Sequence, residues 1–383
     1  MAKHRVPVYL VPVFLSLVLL LILCVCFSGC YTLKQGTIML GYLSRAIPLE
    51  ALLDTPKQAR KSSHNYAYTV LDTDEVNKNR LFVERVMDIR SFATEELGLK
   101  MSKNYTRYVH IDRDYLAAIV SACAADSFTS HEWKFPIVGT MPYKGFFNTA
   151  DAYKESEKLK KKGLDVWIRK TDAFSTLGWF KDPLYSYMQD YSIDMLANLI
   201  IHELMHATVF VKNQMQFNEE LAEIAGREGA QLYVENRFGF DSEEFRLMYI
   251  NRADNEAYVS FVLELAGELE AVYDGSESSG EKLREKERII NDAKIRFDAE
   301  YESRFSGDGF RLFLELPVNN AYLELYRLYY GSDGFFSDLF ENTGRDLYAL
   351  IAAAKTLNIK DSSGIREPRQ RLTKALGLEY HNP

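Results

Sequence analysis

The residues of this chain best suited to do chemistry are the two histidines and the glutamate of His202-Glu203-Leu204-Met205-His206. On a helix, residues four positions apart share a face, so His202 and His206 can present two imidazoles to one ion. Glu203 would then reach a water bound to that ion. Zinc suits such donors, and catalytic zinc sites use three protein ligands and keep one position open for water. The spacing therefore predicts one zinc ion per chain, with Glu203 as general base.

A third ligand is needed, and the segment after this motif offers carboxylates. Val209 and Lys212 stand where one class of exported zinc peptidases has a glycine and a third histidine, so that arrangement is excluded. We expect Glu219, in the first turn of the following helix, to be the third ligand, with Glu220 and Glu223 as rivals. Acidic residues at a helix start also favour the helix dipole without binding any metal.

Two predicted helices position these groups: residues 193–211, strongly apolar, carry the motif, and residues 218–238 follow. Short β-branched or aromatic runs predict strands, and apolar residues three and four positions apart predict further helices. The predicted strands are residues 105–111, 116–122, 135–147 and 164–169, and the further helices are residues 62–97, 149–162, 255–272 and one ending near residue 305. The predicted fold class is α+β, mostly helical, with a small central sheet and a helical C-terminal half.

The N-terminus predicts export. Lys3 and Arg5 give a positive start, residues 6–27 are almost entirely apolar, and Ser28-Gly29-Cys30 follows. This order is typical of a bacterial lipoprotein signal, in which the chain is cut before the cysteine and Cys30 is acylated. The apolar run is also long enough to remain as an uncleaved membrane-spanning anchor. Under both alternatives the rest of the chain is exported and held at a membrane.

Composition narrows the possible partners. The chain has 383 residues, 47% of them hydrophobic and 26% charged, which suffices for a sizeable core. Its net charge is −8, and its one basic run, residues 158–162, is short, so we expect no nucleic-acid partner. After loss of the signal, Cys123 has no second thiol for an intrachain disulfide, and it is expected to be a core residue.

Four segments carry a family resemblance. They are residues 135–139 with 142–147, residues 174–180 with 182–184, the His202–His206 helix with Phe217-Asn218-Glu219, and Asn319-Asn320-Ala321. With them, the chain resembles the bacterial family of predicted aminopeptidases, typically lipoproteins. The resemblance implies a zincin-like metallopeptidase. Asn218-Glu219 is similar to the pair in which the glutamate binds zinc in thermolysin-like and aminopeptidase families.

The N-terminal pattern, the predicted elements and the resemblance together suggest a division of the chain. Residues 1–29 are predicted to be the signal peptide and residues 30–61 a tether. Residues 62–240 would form the zincin-like catalytic region, and residues 241–383 a helical C-terminal region.

Substrate contacts follow from what such an enzyme requires. In zincins an edge strand pairs with the substrate backbone, and residues 143–147 are the candidate, with Tyr143 on the strand and Gly145 allowing close approach. An ordinary strand is the plain alternative. Residues 175–183 would wall the cleft or simply pack. A carboxylate must hold the substrate ammonium, and Glu220 and Glu223 are candidates unless they are only solvated helix acids.

The oxyanion donor is left open, because zincins use a tyrosine or a histidine and the chain has 24 tyrosines. The candidates are Tyr143, Tyr258, Tyr322, Tyr326 and His131. Asn319 and Asn320 are expected to be a helix cap and nothing more.

Three functions are consistent with the sequence. The first is a membrane-tethered zinc aminopeptidase acting on peptide substrates, and the second is a zinc endopeptidase at the same location. The third is a non-catalytic lipoprotein whose C-terminal helical pair, residues 255–305, binds a partner. Glu203 counts against the third function, because a structural metal site needs no base at that position.

Overall fold

The computed structural model describes residues 31–32, 34–53, 57–62, 65–70, 73–135, 139–172, 182–330, 334–357 and 367–380. The predicted signal with Cys30, and most of the predicted cleft loop, lie outside these ranges. Among the described residues, no helix combines the length and apolarity needed to span a bilayer. The chain divides into two compact units. The first comprises residues 1–45, 115–174 and 319–324, and the second comprises the remaining residues.

The first unit contains a three-stranded sheet in the order β8-β5-β9. The strands are β5 (Ala117–Ala124), β8 (Tyr143–Phe146) and β9 (Leu164–Thr171), and both outer strands run antiparallel to β5. A separate hairpin joins β6 (Trp133–Phe135) to β7 (Gly139–Met141). Helix α3 (Thr149–Lys160) buries Ala152, Ser156 and Leu159. The sheet, the hairpin and α3 share one hydrophobic core, which consists of Ala118, Val120, Ala122, Trp133, Phe146, Ala152, Leu159 and Val166.

The predicted tether is replaced by helix α1, described over residues 31–32 and 34–44, which belongs to the first unit. Strand β8 pairs only with β5 in this sheet, so its outward backbone groups need other partners. Helix α1 supplies them: the Tyr31 hydroxyl donates to the Gly145 carbonyl, and the Phe147 amide donates to Gln35 Oε1 at 2.9 Å. The chain after residue 30 is therefore held against the sheet.

Asn319 and Asn320 do more than cap a helix. Asn319 Oδ1 caps α8 (Asn320–Tyr330) by accepting from the Tyr322 amide at 3.1 Å, as expected. Its Nδ2 also donates to the Val166 carbonyl, and Asn320 Nδ2 donates to the Ala124 carbonyl at 2.9 Å. These bonds join residues 319–324 to the first unit, so the predicted C-terminal region, residues 241–383, is not one continuous body.

The second unit has two small sheets. One has the order β1-β4-β10, formed by Ile47–Pro48, Arg107–Val109 and Leu184–Tyr185, with β1 antiparallel and β10 parallel to β4. The other is the hairpin of β2 (Lys57–Ser62) and β3 (Asn65–Val70). The helix predicted from residue 62 begins only at Thr73, as α2 (Thr73–Ser91). The prediction was wrong there because Tyr66, Tyr68 and Val70 recur at the strand period of two.

Helices make up most of the second unit. They are α4 (Ile193–Thr208), α5 (Met215–Phe238), α6 (Glu243–Tyr273), α7 (Ser279–Arg304), α9 (Phe335–Asn342), α10 (Leu347–Lys355) and α11 (Pro368–Ala375). Helix α6 begins earlier than predicted, because Ser242 caps it by accepting from the Phe245 amide at 3.1 Å. Helices α6 and α7 pack together through an aromatic core that includes Phe261 and Phe297, whose ring centroids are 4.9 Å apart.

Candidate metal centre

Helix α4 carries the histidines on its less buried side. Leu196, Ile200 and Leu204 are almost completely buried, whereas His202, Glu203 and His206 remain partly accessible. The helix end is held by Thr208, whose hydroxyl accepts from the Lys100 amide at 2.8 Å. The apolar stripe thus determines which side of the helix is left for the chemical groups.

The two histidines and Glu219 meet at one point in the second unit. Their closest atoms are His202 Nε2 to His206 Nε2 at 3.1 Å, His206 Nε2 to Glu219 Oε1 at 3.5 Å and His202 Nε2 to Glu219 Oε2 at 3.8 Å. Zinc bonds of about 2.0–2.2 Å in a tetrahedron put neighbouring ligand atoms about 3.4 Å apart. The observed separations, which involve both carboxylate oxygens of Glu219, lie within about 0.4 Å of that value. Among the described residues, this is the one group of three or more His, Cys, Asp or Glu side chains placed to hold a metal ion, and one candidate ligand atom from each lies within 4.8 Å of the others.

Asn218 ties helix α5, which begins three residues earlier at Met215, to the loop that precedes it. Its buried side chain donates from Nδ2 to the Val211 carbonyl and accepts at Oδ1 from the Val211 amide, both at 2.8 Å. The amide thereby closes the short loop between α4 and α5, as a strand partner would. Because Glu219 is the next residue, this pair of bonds also positions the third candidate ligand.

Two glycines let α5 cross α4 closely. A Cβ on Gly226 would stand 2.3 Å from Asn198 Oδ1, 3.0 Å from the Asn198 carbonyl oxygen and 3.1 Å from His202 Cβ. A Cβ on Gly229 would stand 3.0 Å from Ile201 Cγ2. The absence of these carbons allows the contact that brings Glu219 to the histidines.

The charges of the cluster respond to burial and to each other. Burial, and then the neighbouring His206, lower the pKa of His202 to about 4. Hydrogen bonding and charge attraction from Glu219 raise the pKa of His206 against the opposing effect of its burial. The bond from His206 holds the pKa of Glu219 below its usual value. Glu219 is thus anionic and His202 neutral near neutral pH, which are the forms that bind a metal ion.

Glu203 lies in a setting suited to proton transfer. Burial raises the pKa of its carboxyl to about 7, with Asp182 and Glu219 adding to the effect and His206 opposing it. A general base is most effective when its pKa lies near the working pH.

Tyr105 is a neighbour of this carboxylate that the sequence did not single out. It is 3% exposed, and burial followed by the charges of Glu203 and Asp182 raises the pKa of its phenol well above 10. Its backbone has φ of 57°, an unusual conformation for a bulky residue, and its amide donates to the Asp182 carbonyl at 2.8 Å. No sequence pattern marks such a conformation, since Tyr105 stands at the start of a predicted strand.

The rival acids differ from Glu219. Glu220 Oε2 pairs with Arg369 of α11 at 2.8 Å, and Glu220 Oε1 accepts from Gln216. Glu223 is exposed to solvent. Neighbouring protein nevertheless displaces part of the water around its carboxyl and raises its pKa, and the charge of Arg227 opposes this increase. Glu220 therefore links two helices, and Glu223 is left as an accessible acid one turn beyond Glu219.

The predicted substrate residues Tyr143 and Gly145 lie on β8 of the first unit. The Gly145 carbonyl already accepts from Tyr31, so a peptide pairing at that point would have to displace the Tyr31 hydroxyl. A substrate role for this strand stays a prediction.

The other oxyanion candidates make aromatic packing contacts within their own units. His131 packs on Trp133 at 4.6 Å and Tyr322 on Trp167 at 4.7 Å, both in the first unit. Tyr258 is 4% exposed in the aromatic core of the second unit, where it contacts Tyr326 at 5.8 Å. The choice of oxyanion donor stays open.

A family profile described as "Putative aminopeptidase" matches residues 30–368. The chain belongs to this aminopeptidase family. The match covers both units, including the residues of the metal centre, and membership of the family indicates a peptidase with peptide substrates. No curated protein and no solved structure is similar enough to this chain to count as a match.

Proposed function

We propose that this protein is a zinc-dependent aminopeptidase of zincin-like fold that binds one zinc ion per chain through His202, His206 and Glu219. The observation that carries the proposal is the convergence of these side chains at 3.1–3.8 Å beside Glu203. Zinc accepts imidazole nitrogen and carboxylate oxygen, and three protein ligands leave the open position that a catalytic site needs.

When bound, zinc would polarise the scissile carbonyl and lower the pKa of a water towards about 7. Glu203 then takes a proton from the attacking water onto its carboxylate and delivers it to the leaving amine. Its raised pKa, about 7, matches this double role. Burial of α4 behind these residues fixes the helix, so the carboxylate needs little reorganisation.

Removal of N-terminal residues requires a negative group for the substrate ammonium. Within α5, Glu223 is the better candidate, because Glu220 is already paired with Arg369. An endopeptidase with the same metal centre is the second function we carry forward. It would need no such carboxylate.

We further propose that the protein is exported and anchored at a membrane by acylated Cys30 or by an uncleaved apolar segment. The order of positive residues, apolar run and Ser28-Gly29-Cys30 supports this proposal.

The test uses the purified chain and its Glu203→Gln variant. Bound metal is measured by mass spectrometry, and both proteins are assayed on peptides with free and with blocked N-termini. We expect about one zinc in each protein, cleavage of free N-termini by the parent chain, and a loss of at least about 100-fold in the variant.

Other outcomes are informative. Cleavage of blocked peptides would identify an endopeptidase. Absence of bound zinc, or equal activity of both proteins, would refute the catalytic proposal and favour the non-catalytic binding module.

A further inference from the structure

The start of the described chain is tied to one face of the first unit. The Tyr31 hydroxyl donates to the Gly145 carbonyl, and the Tyr31 ring meets Phe146 edge-on at 5.4 Å. Tyr31 follows Cys30 directly in the chain. An acyl chain on Cys30 or an uncleaved apolar segment would therefore hold this face of the first unit at the bilayer surface.

A strip of basic residues begins at that point. The lysine strip consists of Lys34, Lys144, Lys154 and Lys158, arranged around Asp151 and Glu155. Lys34 and Lys154 approach Asp151, and Lys144 and Lys158 approach Glu155 at 3.4 Å and 3.9 Å. Lys144 Nζ also lies 4.6 Å from the centre of the Tyr31 ring. Four ammonium groups against two carboxylates leave the strip positive next to the anchor.

The packing of α3 turns its two lysines of the strip outward. The helix buries Ala152, Ser156 and Leu159 against the sheet, so Lys154 and Lys158 project with 81% and 64% of their side chains exposed. Tyr153, beside them, is 60% exposed. Tyrosine is enriched where membrane proteins meet the lipid headgroups, because its ring is amphipathic.

The charge of the whole first unit agrees with that of the strip. From residue 31 onward, the unit has eleven lysines and arginines against eight acids, whereas the complete chain has 46 against 54. The unit joined to the predicted anchor is thus basic within an acidic protein.

We propose that the lysine strip docks on an anionic lipid surface and sets the orientation of the first unit at the membrane. The proposal rests on the N-terminal anchor and is independent of the peptidase chemistry. Each lysine near an anionic bilayer strengthens association by about fivefold. The anchor brings the unit to the surface, and the strip determines which side of the unit faces the lipid.

The test uses the anchored protein purified with its N-terminal segment and reconstituted into vesicles of phosphatidylcholine, alone or mixed with phosphatidylglycerol. A water-soluble amine reagent labels exposed lysines, and mass spectrometry reads each site. We expect Lys154 and Lys158 to react about fivefold more slowly on the anionic vesicles, and high salt to abolish the difference. Equal labelling of Lys154 and Lys158 on both kinds of vesicle would overturn the proposal.

A matched pair of variants separates charge from structure. In Lys154→Glu with Lys158→Glu, Lys34 should lose its protection on anionic vesicles, whereas Lys154→Arg with Lys158→Arg should retain it. Retained protection of Lys34 in the glutamate variant, or loss in both variants, would show that the strip does not recognise lipid charge.

Discussion

Gly226 of α5 lies so close to α4 that a Cβ at this position would stand 3.1 Å from the Cβ of His202. The helix that supplies Glu219 therefore touches the helix that supplies the histidines at a point where any side chain would separate them.

We expect Gly226→Ala to destabilise the protein by about 1–3 kcal/mol and to weaken zinc binding, because the Asn198 carbonyl and His202 Cβ are held by α4 and cannot yield easily. Gly267→Ala is the control. Gly267 is also inside a helix, and a Cβ there meets nothing within 4 Å, so alanine should stabilise by up to about 1 kcal/mol. Urea unfolding in the presence of a chelator measures the stability of both variants. Equal changes in the free energy of unfolding would contradict the close contact at Gly226.

Asn218→Ala should unfold more easily and bind zinc more weakly. The substitution leaves the buried amide and carbonyl of Val211 without their partner, at about 1–3 kcal/mol for each unsatisfied group. Calorimetry measures the change in melting temperature, and zinc titration measures the change in zinc affinity. Asn251→Ala, at an exposed position on α6, is the comparison and should change neither. An unchanged melting temperature for Asn218→Ala would mean that the loop closes without this side chain.

Replacement of the acids of α5 should distinguish the third ligand. We expect Glu219→Gln to lower zinc affinity by more than about 100-fold, since even groups that only support metal ligands contribute about 10–100-fold. Glu223→Gln should bind zinc normally and weaken the binding of substrates with a free N-terminus. Glu220→Gln should lower stability through loss of its ion pair with Arg369, with zinc retained. Competition against a chromophoric chelator gives the affinities, and normal zinc binding by Glu219→Gln would exclude it as a ligand.

Zinc binding should depend on pH through His206. In the metal-free protein, attraction to Glu219 raises the pKa of His206 above its usual 6.5, and the bound proton must leave before zinc can bind. As the pH is lowered, affinity should therefore begin to fall at a pH above 6.5 and decline by about tenfold for each further unit of acidification. Zinc titrations across this range at one ionic strength test the direction of the change, and a zinc affinity that stays constant down to pH 6 would contradict it.

Addition of chelator at neutral pH should lower the melting temperature, because zinc stabilises only the folded state.

The sequence alone determined the local chemistry of this protein. The spacing of His202 and His206 and the apolar stripe of α4 follow from helical periodicity, which is a property of neighbouring residues. The α+β composition, with most helices in the C-terminal half, was predictable for the same reason. The local pattern also predicted a helix close behind the motif, but with Glu219 in its first turn, whereas α5 begins at Met215 and has no acidic residue in its first turn.

The tertiary structure decided what depends on residues distant in the chain. The sequence favoured Glu219 over its rivals Glu220 and Glu223, and the close crossing at Gly226 together with the bonds of Asn218 brings Glu219 to the histidines. Tyr105 joins Glu203 for the same reason, through a backbone conformation that no periodicity encodes. Helix periodicity shows which side of a helix is buried, but the approach of two helices depends on the packing between them, so the candidate ligands come together only in the folded chain.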